Sequence, residues 1–508
     1  MIRLSFTCLT VFVLCTATVL GQSRDKPNII IIMTDDLGYG DLSCYGATRI
    51  QTPHIDQLAR HGLRLTNGHA TSATCTPSRY ALMTGQYPWR RNGTGILPGD
   101  AALIIEPGTT TLPSMLQKAG YKTGIVGKWH LGLGTTVEKN WNDLVKPGPL
   151  EVGFDYSYIF PATADRVPTV FLDNQRVVAL DSSDPIHVSY KNKIGTDPTG
   201  KEHPELLKLL SSPGQGHNQT IVNGIGRIGY MSGGKAARWT DEELSTTFLA
   251  KAKAFIDTNQ RHPFFLYFAL TEPHVPRMPA TMFKGKSGLG LRGDAILQLD
   301  WTVGQLRQHL VQLGLEKNTI ILFTSDNGPV LDDGYQDGAV TQLQGHTPAG
   351  ILRGGKYSAF EAGTRVPWIM YWPGHIKPGV SDALVCQVDL LHSLARLTQQ
   401  SFGKEDAPDS FDAWDALTGK SAKARSVLVE QGGAFALVQD NWKYIEPRKG
   451  PAILEGVDIE SGYSEVPQLY DLTHDPREQT NLATTHPATV KALQALLEQI
   501  RMAGRTRP

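Results

Sequence analysis

Pro27-Asn28-Ile29-Ile30-Ile31-Ile32-Met33-Thr34-Asp35-Asp36 is the stretch on which the fold turns. Ile29 to Met33 is an unbroken apolar run bounded by Pro27 and Asp35. A run this short with no polar alternation fits a strand buried on both faces, as in a parallel sheet covered by helices. Phe264 to Leu270 repeats the pattern after His262 and Pro263. Thr319 to Phe323 repeats it again behind a helical stretch from Leu297 to Leu313. Val366 to Tyr371 is a fourth candidate, with Pro367 weakening its first half. Strands separated by helices predict an α/β fold with a large, mostly parallel sheet.

Working outward, Pro147 to Ser232 is rich in Pro, Gly and Asp with weak periodicity. It reads as long surface excursions, with short strands such as Thr169 to Leu172. The polar stretch Gly403 to Asp415 reads as a boundary. Beyond it come short runs at Ser426 to Glu430, Ala436 to Val438, Trp442 to Ile445 and Leu469 to Leu472, then a helical pattern from Ala488 to Arg501. These predict a smaller domain of antiparallel sheet plus helix over 416–508, after a main domain over 22–415. No internal repeat is visible.

Polar residues follow the predicted strand ends. Asp35 and Asp36 follow the first, Glu272 and His274 the second, Asp326 and Asn327 the third. In open α/β sheets, sites form beyond the carboxyl ends of the strands, so these distant segments can converge on one pocket.

Composition narrows the functional classes. The chain has 508 residues, 40% of them hydrophobic, enough for a large core. Basic and acidic residues balance at 49 each, so no basic field points to nucleic acid. Residues 1–21 read as a signal peptide: Arg3, then a mostly apolar Leu4 to Leu20, then Ala17, Thr18 and Gly21 near the cut. The run is short for a membrane span and is diluted by Ser5, Thr7, Thr10, Thr16 and Thr18. No second long apolar run follows, so the expected product is exported without a membrane span, to a periplasmic, extracellular or lysosome-like compartment. Cleavage removes Cys8 and Cys15 and leaves Cys44, Cys75 and Cys386. Three cysteines do not make a disulfide scaffold, and at least one stays unpaired.

Cys75 supplies a reason for the odd thiol. It opens Cys75-Thr76-Pro77-Ser78-Arg79, followed by Leu82-Met83-Thr84-Gly85. A free cysteine is otherwise most often a small buried apolar residue. This C-x-P-S-R…T-G segment resembles that of the type I sulfatases of the alkaline phosphatase superfamily. The resemblance implies an alkaline-phosphatase-like fold, and a formylglycine made from Cys75 by a formylglycine-generating enzyme during export. A hydrated formylglycine carries two geminal hydroxyls. One attacks sulfur and displaces the alcohol, and loss of a proton from the other expels sulfate, so covalent catalysis gains a release step that a thiol lacks.

The remaining motifs extend the resemblance from Pro27 to about Leu482. They are Gly127-Lys128-Trp129-His130-Leu131-Gly132, Thr271-Glu272-Pro273-His274-Val275-Pro276, Arg353-Gly354-Gly355-Lys356, Phe360-Glu361-Ala362-Gly363-Thr364-Arg365-Val366-Pro367, and the closing Leu469-Tyr470-Asp471-Leu472 with Glu478-Gln479-Thr480-Asn481-Leu482. Ala362 departs from the glycine that many relatives carry. Adjacent carboxylates in a shared pocket need a compensating cation, and an all-oxygen set suits a hard one. Asp and Asn pairs also serve turns and helix caps. The resemblance assigns Asp35, Asp36, Asp326 and Asn327, with position 75, to one divalent cation, calcium by donor type. It further implies that His274 is the general acid, that Lys356 holds the sulfate and assists the leaving oxygen, and that His130 is the base that releases sulfate. Arg79 and Lys128 hold the formylglycine hydroxyls and the sulfate-side charge. Sulfate and phosphate have similar shape, so a phosphate or phosphonate ester hydrolase of the same superfamily stays open. So does a sulfated-glycan binder without catalysis. The substrate is expected to be a sulfated polysaccharide or a small aryl sulfate. Asp165-Arg166-Val167-Pro168 is a candidate substrate contact, set against the alternative of an ordinary surface ion pair.

Overall fold

The computed structural model describes residues 26–507; the proposed leader, with Cys8 and Cys15, lies outside them. Its frame is a sheet of ten strands. In chain order these are β1 (Asn28–Thr34), β2 (Leu63–Leu65), β3 (Lys122–Lys128), β4 (Tyr156–Phe160), β5 (Leu172–Asp173), β6 (Arg176–Val177), β7 (Phe264–Ala269), β8 (Thr319–Ser325), β9 (Trp368–Tyr371) and β10 (Gly379–Ser381). They lie in the order β10-β2-β9-β8-β1-β7-β3-β4-β5-β6. The central five, β8-β1-β7-β3-β4, are mutually parallel. Beside them β9 and β5 run antiparallel to their inner neighbours, which makes the sheet mixed at its margins.

The isoleucine run occupies the middle, and its alternation serves two cores. Ile29, Ile31 and Met33 face a layer that includes α2 (Cys75–Thr84), α3 (Leu112–Lys118) and α6 (Leu390–Thr398). Ile30 and Ile32 face a layer of α1 (Pro53–His61), α4 (Leu244–Asn259) and α5 (Gly290–Gln312). Every β1 residue is buried; Ile29 to Met33 is covered on both faces and reads as continuously apolar, while the polar ends Asn28 and Thr34 hydrogen-bond to Thr319 and Thr324 on β8. Register aligns the strand ends: Met33 pairs with Ala269 and Thr324, and Ala269 pairs with Gly127.

Two central strands escaped the sequence reading. In β3 the glycines mask the apolar signal, yet both are required. A Cβ on Gly124 would stand 2.5 Å from the Phe255 ring, and one on Gly127, at φ +117°, would stand 1.8 Å from the Ala269 carbonyl oxygen. Strand β4 adds a buried sheet strand to residues 147–232, which read as long surface excursions with short strands such as Thr169 to Leu172. Tyr158, Ile159 and Phe160 are buried in the sheet, and the short strands β5 and β6 extend it at this edge.

The C-terminal region forms a second, four-stranded antiparallel sheet: β11 (Val427–Gln431), β12 (Phe435–Gln439), β13 (Trp442–Ile445) and β14 (Gln468–Asp471), in sequential order. Helix α7 (Pro487–Met502) starts with Pro at its first turn and lays Val490, Leu493, Leu497 and Ile500 against Leu428, Leu437 and Leu469. Cys44, Cys75 and Cys386 are all unpaired thiols. No helix among the described residues is long and apolar enough to cross a membrane.

Candidate active site

Adjacent strands β8, β1, β7 and β3 deliver their following residues to one end of the sheet. Asp35 and Asp36 leave β1, His274 follows β7, Asp326 and Asn327 leave β8, and Lys128 and His130 close β3. Cys75 comes from elsewhere. It is the first residue of α2, capped by Thr74 in extended conformation and closed at the far end by left-handed Gly85. Every residue of α2 is buried, and Pro77 is tolerated because the first turn needs no intrahelical N–H there. The loop before it is fixed by Ser78, whose hydroxyl donates to the Ser72 carbonyl (2.9 Å) and accepts from the Ser72 N–H (3.1 Å). The helix therefore aims its positive N-terminal end at position 75, where negative charge is favoured.

The polar groups interlock. Lys128 Nζ lies 2.7 Å from Asp35 Oδ2 and 3.9 Å from Asp326 Oδ2. Arg79 turns its Nε and Nη2 to Asp326 Oδ2, both at 2.8 Å, so its charge lies against that carboxylate. Lys356 Nζ donates to Asp36 Oδ2 (2.9 Å) and to Asp333 Oδ2 (2.7 Å). Asn327 Nδ2 donates to Asp36 Oδ1 at 2.7 Å. His274 Nε2 stands 3.8 Å from Asp36 Oδ2, while its Nδ1 lies 2.6 Å from the Val275 carbonyl oxygen.

Two oxygens of the expected ligand set have no hydrogen-bond partner among the described residues. Asp35 Oδ1 and Asn327 Oδ1 are buried and accept no hydrogen bond. Unsatisfied buried acceptors are costly, and these two belong to the predicted metal ligands. Asp36 shares the pocket, and the ligand atoms of Asp35, Asp36 and His274 lie within 4.8 Å of one another. Carboxylate and amide oxygens left free in this way fit a hard divalent cation.

The electrostatics follow from burial. Desolvation raises Asp35, and raises Asp326 to about 6 with the Asp35 charge adding to it. Burial acts the same way on Asp36, but Lys356 and His274 outweigh it and hold that carboxyl low. Burial pushes the Cys75 thiol up, so an unmodified cysteine here is a poor nucleophile. Burial, with Lys128 and Arg166 nearby, holds His130 neutral by driving its pKa well down. Its Nε2 faces the Leu97 carbonyl oxygen at 2.9 Å and carries the proton, which leaves the Nδ1 lone pair toward Cys75 Sγ at 3.3 Å. Burial lowers His274 to about 4, against the opposing pull of Asp36.

All the residues singled out from the sequence reach this neighbourhood, Asp165 and Arg166 included. Arg166 Nη1 lies 3.1 and 3.2 Å from the two Asp165 oxygens and also donates to Thr163. Its charge acts on both His130 and Cys75. Asp165 is 2% exposed, so this is no ordinary surface ion pair. Burial would raise its carboxyl, but Arg166 and a hydrogen bond from His217 hold it well below the usual range. Sequence reasoning missed His217, 3.0 Å from Asp165 Oδ2 with its Nδ1 buried and unpartnered, and missed Asp333. Both sit on loops. The doublet Asp332-Asp333, a few residues beyond Asn327, was the one available signal.

Comparison with known proteins gives this geometry a context. A family model described as Sulfatase matches residues 27–400. The N-acetylgalactosamine-6-O-sulfatase of Bacteroides thetaiotaomicron is 53% identical over 483 residues, covering 95% of this chain and 94% of that one. Human arylsulfatase A is 32% identical over 506 residues, covering 95% of this chain and 88% of that one. A solved structure from work on the metabolism of multiple glycosaminoglycans by Bacteroides thetaiotaomicron superposes with TM-score 0.93 at 53% identity, covering 94% of this chain and 100% of that one. At 23% identity and TM-score 0.68, the structure of Ps i-CgsB in complex with k-i-k-neocarrahexaose shares the fold, covering 95% of this chain and 94% of that one.

Proposed function

We propose that this chain, which belongs to the sulfatase family and is a sulfuric ester hydrolase, removes a 6-linked sulfate from N-acetylgalactosamine in a sulfated glycan. The 53% identity to a protein of that activity, over nearly the whole length of both chains, carries the reading. We assign the nucleophile to a formylglycine made from Cys75 by a formylglycine-generating enzyme. When present, it supplies a hydroxyl nucleophile and a second hydroxyl whose deprotonation releases sulfate. Asp35, Asp36, Asp326 and Asn327 would hold a divalent cation, calcium by donor type, which would polarise sulfate oxygen and favour the ionised nucleophile. The unpartnered oxygens of Asp35 and Asn327 support that assignment.

The side chains divide the remaining work. Lys128 and Lys356 are fixed by the adjacent carboxylates of Asp35 and Asp36, and they offer two ammonium groups to the charge that shifts over the sulfate oxygens. Arg79 balances Asp326 and so keeps that carboxylate ionised despite burial. His130 points a lone pair at position 75 and accepts the proton whose loss frees sulfate. His274 donates to the leaving oxygen. Burial keeps its ring neutral, and the negative charge of a sulfate ester beside it raises its proton affinity and loads it. Asp165 and Arg166, backed by His217, form a buried polar wall suited to sugar hydroxyls. The reading of residues 1–21 as a signal peptide supports export, which formylglycine formation accompanies.

Sulfate release from N-acetylgalactosamine 6-sulfate, other sulfated sugars, 4-nitrophenyl sulfate, 4-nitrophenyl phosphate and phenylphosphonate tests the reading. Turnover should be highest on the 6-sulfated galactosamine and weak on phosphorus esters. A phosphorus ester cleaved faster than every sulfate ester would sink it.

A further inference from the structure

The C-terminal sheet reaches the catalytic loops through one turn. Gln431, at the end of β11, donates its N–H to the Thr71 carbonyl (3.2 Å). Its own carbonyl accepts from the Ala73 N–H (2.9 Å) and from the Ser72 hydroxyl (2.8 Å). Residues 71–73 are the approach to Cys75. Two positions along the turn, the Gly433 N–H donates to the Tyr357 carbonyl (3.2 Å), and Tyr357 follows Lys356. The Tyr357 N–H in turn donates to the Ala73 carbonyl (2.8 Å), closing a ring between nucleophile loop, turn and lysine loop. The turn is tight. A Cβ on Gly432 would meet the Ser358 carbonyl oxygen at 2.5 Å and the Ala359 Cα at 2.8 Å.

A buried charge cluster anchors this turn. Lys443, on β13 and fully buried, lies 2.9 Å from Glu361 Oε1, 2.9 Å from Glu430 Oε2 and 3.5 Å from Glu478 Oε1. Glu430 immediately precedes Gln431 and also meets His69 Nδ1 at 2.7 Å. His69 leads into residues 71–73, while Glu361 follows the Lys356 loop and meets Arg365 at 3.2 Å. His69, Glu361 and Glu430 offer ligand atoms close enough together for a cation. The Lys443 ammonium, bonded to both carboxylates, already takes that place. A charge set this deeply buried is weak evidence for stability, because well-packed apolar residues stabilise as well or better. Directed ion pairs can, however, favour one placement of the three backbone segments over others.

We propose that Lys443 is a positioning residue for sulfate hydrolysis: through Glu430 and Glu361 it fixes the Gln431–Gly433 turn, which holds the Cys75 and Lys356 loops at their working separation. The inference rests on the reading of Cys75 and Lys356 as parts of the sulfate-cleaving site. It makes the C-terminal sheet a component of the active site although none of its residues touches sulfate.

Two variants test it on full-length protein. Gly432→Ala pries the turn from residues 358–359, and Lys443→Arg keeps the charge but changes its reach. Four quantities are read: kcat and KM on 4-nitrophenyl sulfate, the thermal midpoint, and the modified fraction of the peptide containing residue 75. The expected result is a roughly 10- to 100-fold fall in kcat, as small misplacements of reacting groups produce. KM, the modified fraction and the folded fraction at the assay temperature should stay near wild type. A kcat unchanged in both variants overturns the proposal, and so does a loss that merely tracks unfolded or unmodified protein. Wild-type protein that cleaves no sulfate ester would instead remove the reading of the site, and the inference with it.

Discussion

Replacing Glu478 by glutamine should uncouple part of the protein's stability from pH. Glu478 is fully buried, its Oε2 accepts from the Glu361 N–H at 2.7 Å, and its Oε1 has no hydrogen-bond partner. Burial raises its carboxyl to about 8, with Lys443 opposing and Glu361 and Glu430 reinforcing. His69, Arg365 and Arg353 also border the cluster, Arg353 donating to the Glu478 carbonyl oxygen at 2.6 Å. The ordinary value is 4.5, so between that pH and about 8 the folded state holds a proton that the unfolded state has lost. Stability therefore falls as pH rises across this window, by up to about 1.4 kcal/mol per pH unit for this one group. An unfolding entropy near 2 cal/mol/K per residue converts that into roughly 1 °C of melting temperature per pH unit for a chain of this length. Glu478→Gln cannot lose a proton. Calorimetry of both proteins at matched scan rates from pH 4.5 to 8.5 should show the variant's midpoint gaining on wild type steadily up to about 8, then holding. A midpoint difference, variant minus wild type, that stays constant or falls as pH rises would refute the reasoning.

Other outcomes follow from the site. Asp35→Ala or Asp326→Ala should lose bound divalent cation and at least roughly a hundredfold in kcat together, checked by metal analysis beside turnover; full activity without metal contradicts the ligand assignment. His274→Ala should lose roughly 10²- to 10⁴-fold on a sugar sulfate and far less on 4-nitrophenyl sulfate, whose leaving group needs no proton; equal losses would deny it the role of acid. Arg166→Ala should weaken sugar-sulfate turnover by about 1–3 kcal/mol and spare 4-nitrophenyl sulfate, since only the sugar offers hydroxyls to this wall; steady-state kinetics on the pair decides.

Much of this was legible in the sequence, for identifiable reasons. The Ile29–Met33 run announces its own burial because both faces of β1 are covered. Strands β7 and β8 behave alike, and the polar residues after all three mark the site, since chemistry collects where strands end. Strand β3 was lost because close packing against Phe255 and the Ala269 carbonyl demands glycine, and the rule that removes the side chain also removes the signal. His217 and Asp333 reach the site on loops whose paths depend on tertiary contacts. Glu430 and Lys443 sit on short strands where a charged residue normally faces solvent. Their burial comes from the second face of that sheet packing on the catalytic body, which no local pattern records.

Mass spectrometry of the peptide containing residue 75, on protein of measured sulfatase activity, tests the central claim most directly. The account predicts a side chain about 18 mass units lighter than cysteine, in a proportion that tracks turnover across preparations. Full turnover by protein carrying only the unmodified Cys75 thiol would contradict it.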